Sequence, residues 1–65
     1  MPTIDQLNWQ LKLEQVTADN YTRLASEFVN DEALTKTLNK LRVKSDENII
    51  TLENAIQHQL EKEVW

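Results

Sequence analysis

Two rows of apolar residues run along this chain at helical spacing, separated by one short polar interruption. The first row is Ile4, Leu7, Leu11, Ala18, Tyr21, Ala25 and Phe28, whose three- and four-residue steps place them on one helical face. The second row is Leu34, Leu38, Leu41, Ser45, Ile49, Leu52, Ile56, Leu60 and Val64. Between them, Val29-Asn30-Asp31-Glu32 breaks the pattern. Asn tolerates the left-handed conformation that ends helices, and Asn30 or Asp31 can cap the helix that follows. The spacing predicts a first helix over about 4–29, a turn over about 29–32 and a second helix over about 32–63. Helices of that size are roughly 40 to 45 Å long, and so short a connection makes them antiparallel.

The first helix has a start signal. Pro2 precedes Thr3, and Gln6 follows three residues later, the T-x-x-Q form of a capping box. Asp5 in the first turn suits the positive end of the helix dipole. The second helix carries one internal warning, Lys44-Ser45-Asp46-Glu47, where Ser45 could cap a third helix; a compact three-helix bundle is the alternative architecture. Thr17-Ala18-Asp19-Asn20 is a weaker break of the same kind. With the turn near residue 30 or 31, Phe28 is expected to face Leu34, Tyr21 to face Leu41, Leu11 to face Ile50, and Leu7 to face Ala55.

Composition supports an all-α chain. Glycine is absent and proline occurs once, which removes the residues that tight hairpins and bulged sheets need. There is no cysteine, so neither a disulfide framework nor a thiolate metal site can staple so small a domain. Apolar residues make up 40% of the chain but never run beyond two in a row, so no transmembrane helix or secretory core fits. The reading is cytoplasmic, with no membrane.

Both helices carry more apolar surface than one neighbour requires. In the first, Trp9, Leu13, Val16 and Leu24 form a second stripe, and the apolar arc widens to roughly 200° where a bundle helix needs about 100°. In the second, Val43 and Ile50 lie seven residues apart, off the main stripe. These six residues are the expected interface with a second copy or with a helical partner protein. Pairing two hairpins buries them in a four-helix bundle, and two-fold homodimers are the commonest soluble assembly.

Several polar residues coincide at mid-height: Glu14, Thr17, Ser45 and Asn48. They read as a polar layer that fixes register and partner choice at some cost in stability, with Lys44 the expected charge partner of Glu14. The rival reading, a small-ligand or metal site built on Glu14, lacks further ligands. The sole histidine, His58, has Ala55 three positions earlier, where a bundle di-metal motif needs Glu. No serine or threonine has a histidine within reach as its base, and phosphate-cradling loops need glycine. Asp31-Glu32 and Asp46-Glu47 suit helix starts without any catalytic role. No enzyme, cofactor or small-molecule substrate is expected.

Charge is uneven. The chain carries −4 overall, but residues 33–45 hold Lys36, Lys40, Arg42 and Lys44 with no acid, a local +4. Lys36, Lys40 and Lys44 fall at i, i+4 and i+8, a candidate anion-binding stripe. The aromatic residues Trp9, Tyr21, Phe28 and Trp65 are not interleaved with it, as base stacking would require. Val64 and Trp65 are expected to close the open end of the bundle beside Ile4 and Trp9.

No motif assigns a family. The two-helix plan is similar to the small plasmid-encoded RNA-binding hairpin dimers of the Rop type, which implies RNA or polyanion binding through the lysine stripe. Leu52-Glu53-Asn54-Ala55-Ile56, late in a short hairpin, is similar to small type III secretion co-chaperones. The leading expectation from the residues themselves is a non-enzymatic interaction module acting through apolar helix faces.

Overall fold

The computed structural model describes residues 2–64, with side chains over residues 3–62. Two helices pack antiparallel into a hairpin: α1 is Pro2–Glu27 and α2 is Glu32–Val64. α1 opens at Pro2, so its missing N–H falls where a first-turn donor has no partner anyway, and Thr3 lies inside the first turn instead of capping it. α2 runs unbroken through Lys44-Ser45-Asp46-Glu47, which removes the three-helix alternative. The segment stays helical because Ser45 is buried in the packing of the hairpin at 4% exposure, and tertiary burial outweighs its weak helix propensity.

The turn is tight and uses no left-handed residue; no described residue has a positive φ. Phe28 N–H donates to the Leu24 carbonyl at 3.0 Å and Asp31 N–H to the Phe28 carbonyl at 3.0 Å, which ends α1. Asp31 is the cap of α2, its carboxylate accepting from Leu34 N–H at 3.0 Å. The Thr35 hydroxyl then reaches back across the turn to the Phe28 carbonyl at 2.9 Å. That bond ties the first turn of α2 to the turn residue that follows α1, a role for Thr35 that apolar periodicity does not reveal.

Burial along α1 follows Ile4, Leu7, Leu11, Glu14, Ala18, Tyr21 and Ala25, alternating three and four residues. Along α2 it follows Thr35, Leu38, Arg42, Ser45, Ile49, Leu52, Ile56 and Gln59, with the same alternation. Two members of the expected second row are therefore displaced. Leu41 is 41% exposed and Leu60 is also exposed; Arg42 and Gln59 take their places. The reason is angular. Reaching Ser45 through Leu41 and on to Ile49, or reaching Leu60 through Ile56, takes two consecutive steps of four, which rotates about 80° off the seam. Alternating steps stay on it. Phe28, expected at the end of the first row, is half-exposed where the seam runs out into the turn.

Two cross-links fix the register. Glu14 and Asn48 are hydrogen-bonded, as are Phe28 and Thr35, pairs whose residue numbers add to 62 and 63. This places Ala18 level with Ser45, Ala25 with Leu38, and Leu11 with Leu52, a slip of about one residue from the expected pairings. Ile50 leaves the level of Leu11 and Leu41 that of Tyr21, because the turn closes nearer Asp31 than Asn30. The two most buried apolar residues are Ala18 and Leu38. A small residue opposite a small or a large one lets the helices approach, and burying Leu38 contributes about 2 kcal/mol.

The result is a rod. Its principal extents are 53 × 14 × 11 Å and its radius of gyration is 15.1 Å, against about 11 Å for a compact domain of this length. No described helix is long and apolar enough to cross a membrane. The side chains of Val64 and Trp65, expected to close the open end, lie outside the described residues.

Candidate functional site

The buried alternation assigns each remaining residue to a side of the rod. With the seam positions named a and d in the usual heptad, a two-fold normal to the plane of the hairpin exchanges antiparallel helices. Positions of one letter therefore share a flank. One flank carries the g and c positions of both helices, the other carries e and b, and f points straight outward.

The g/c flank is poor in charge: within it only Glu27, Lys44 and Lys62 are ionic, alongside the imidazole of His58. Leu13, Leu24 and Leu41 lie on it, all partly exposed, and the register sets Leu24 and Leu41 side by side near the turn. By the same register Thr17 and Asn48 fall at one level at mid-length, and Gln10 and Ala55 at one level toward the open end. The e/b flank is rich in charge, with Asp5, Lys12, Asp19, Glu32, Lys36, Asp46 and Glu53. Val43 and Ile50 sit among these residues.

The six expected interface residues are thus exposed but divided. Leu13 and Leu24 share the g/c flank, Trp9 (61% exposed) and Val16 form the outer back of α1, and Val43 and Ile50 lie on the other flank. Sequence spacing within each helix could not show this, because the relation between the two helices sets the flank. Leu41 belongs with Leu24 for the same reason that it left the seam.

The polar layer assembles in part. Asn48 Nδ2 donates to Glu14 Oε1 at 3.2 Å, joining the helices at mid-height. Ser45 is buried one layer closer to the turn. Thr17 turns inward along its own helix, its hydroxyl donating to the Leu13 carbonyl at 2.9 Å, so it adds no bond across the layer. Thr22, Thr37 and Thr51 bond to their own helices in the same way. Asn48, not Lys44, is the partner of Glu14: Lys44 occupies a c position, on the side of α2 turned away from the seam.

The one ion pair among the described residues joins Arg42 Nε to Asp46 Oδ2 at 3.9 Å, one turn apart on α2. Arg42 occupies a seam position by laying its aliphatic stem inward while the side chain remains 42% exposed. Its Nε is buried without a hydrogen bond. Steps of four and three from Leu38 through Arg42 to Ser45 were the signal that could have found it. Lys36, Lys40 and Lys44 are all exposed and step around the outer side of α2, through b, f and c.

Among the described residues there is no pocket and no group of three or more His, Asp or Glu side chains able to hold a metal ion. The described surface is that of an elongated helical hairpin. No protein-family model, curated protein or solved structure matches this chain.

Proposed function

We propose that this chain is a non-enzymatic interaction module that works as a homodimer, two hairpins packing helix faces together into a four-helix bundle. The observation that carries the reading is surface area. The hairpin exposes 5153 Å², whereas a folded monomer of its 7.6 kDa exposes about 4,300 Å². The surplus of roughly 850 Å² matches the ~800 Å² that each partner contributes to a standard protein interface. Large apolar side chains such as Trp9, Val29 and Ile50 stand exposed, and the two most buried apolar residues of the hairpin are only Ala18 and Leu38. So thin a seam offsets little of the entropy of ordering the chain, and a second copy is the simplest source of the missing burial.

Sedimentation equilibrium at micromolar concentration tests this. The expected mass is about 15 kDa, twice the 7.6 kDa chain. A single-chain mass across that range, with the helical signal intact, overturns the homodimer and leaves the surplus surface to a different helical protein.

A second reading rests on a separate observation. Lys36, Lys40 and Lys44 are exposed, form no ion pair with a described acid, and sit in a segment of +4. We propose RNA or another polyanion as the ligand in that case. Binding should then weaken steeply with salt and again on Lys40→Glu; binding that is undetectable at low salt overturns it.

A further inference from the structure

The hairpin is asymmetric along its length in two independent ways. The first is charge. Residues 18–45, the half nearer the turn, hold five bases and four acids, or +1. The remaining segments, 1–17 and 46–65, hold seven acids and two bases, or −5. The second is size on the g/c flank. Leu24 and Leu41 stand side by side toward the turn, and Gln10 and Ala55 stand about 21 Å away toward the open end. Thr17 and Asn48 lie midway between them and close to the middle of the rod.

We propose that two copies pack g/c flank on g/c flank, antiparallel, about a two-fold axis at the level of Thr17 and Asn48. The inference rests on the homodimer reading and adds its surface and orientation. The dyad lays the +1 half of each copy on the −5 half of the other, so unlike charge meets at both ends. It also lays Leu24 and Leu41 on Gln10 and Ala55 of the second copy, large against small, which is how layers interdigitate without voids. A parallel pair does the reverse at every level. It sets −5 beside −5, crowds four leucines together toward the turns, and leaves only Gln10 and Ala55 over Ala55 and Gln10 toward the open ends. The g/c flank is chosen over the e/b flank because fewer ionic groups must be stripped of water there.

The chain has no cysteine, so Asn30→Cys accepts one nitroxide label per copy at the exposed turn. Pulsed dipolar spectroscopy on the dimer should give a separation of about 45 Å, because the turns lie at opposite ends of rods 53 Å long. A separation under about 20 Å overturns the antiparallel arrangement while leaving the homodimer standing. A single-chain mass with no dipolar signal overturns the homodimer itself. Ala55→Leu supplies a second readout of opposite sign for the two packings. The antiparallel pair should dissociate at about tenfold higher concentration, because the new side chain meets Leu24 and Leu41; an unchanged or tighter dimer overturns the proposal.

Discussion

The two flanks of the hairpin are built from the same two helices and differ in what they ask of water. On the g/c flank, Leu13, Leu24 and Leu41 sit among threonines and amides with few ionic groups. On the e/b flank, Val43 and Ile50 are at least as exposed, but acids and lysines surround them. Exposed apolar area alone does not separate the two. The cost of desolvating the neighbours does, since covering Val43 and Ile50 would also take Lys36, Asp46 and Glu53 out of water. Apolar side chains are covered at least cost where few ionic neighbours must lose water with them.

The largest expected effect breaks that comparison directly. Leu24→Asp with Leu41→Asp should weaken dimerisation on the order of 100-fold or more, as two charges enter the face proposed to pair. Val43→Asp with Ile50→Asp should leave it within about threefold. Sedimentation across a dilution series checks both, and the opposite ranking would move the interface to the e/b flank.

Next comes the seam that both flanks share. Leu38→Ala should cost about 2–3 kcal/mol in urea unfolding, because Ala25 opposite cannot fill the space. This loss should appear with either flank intact, which separates folding of the hairpin from pairing of hairpins.

Glu14→Leu sharpens the comparison from within. Removing a half-buried carboxylate from a seam position should raise stability by about 1 kcal/mol and the melting temperature with it. The same change removes the Asn48 bond at mid-length and should loosen register, seen as more than one assembly by light scattering. A lower melting temperature with one unchanged assembly would show that the bond stabilises more than it specifies. The smallest effect is at the turn. Asp31→Ala should cost about 1 kcal/mol of thermal stability through the lost cap of α2, without altering the dimer constant.

Much of this architecture was legible in the residues. The absence of glycine, the two apolar rows and the Val29–Glu32 interruption fix an all-helical hairpin, and Asp31 is a recognisable cap. These features are local: hydrogen bonds within a helix and caps at its ends depend on neighbours a few positions away. That Glu14 and Asn48 come to one height was legible too, but not that they bond to each other.

Other features waited on the second helix. Whether Leu41 or Arg42 enters the seam, whether Gln59 replaces Leu60, and whether Glu14 meets Asn48 instead of Lys44 all depend on how each helix is rotated against its neighbour. Which flank holds Val43 and Ile50, and that Leu24 stands beside Leu41, depend on the same rotation and on a one-residue choice of register. A helix repeats every 3.6 residues whatever it touches, so its own pattern marks an apolar arc without marking the centre of contact. Only packing against a partner selects that centre, and here it drew an arginine stem inward and turned a leucine out.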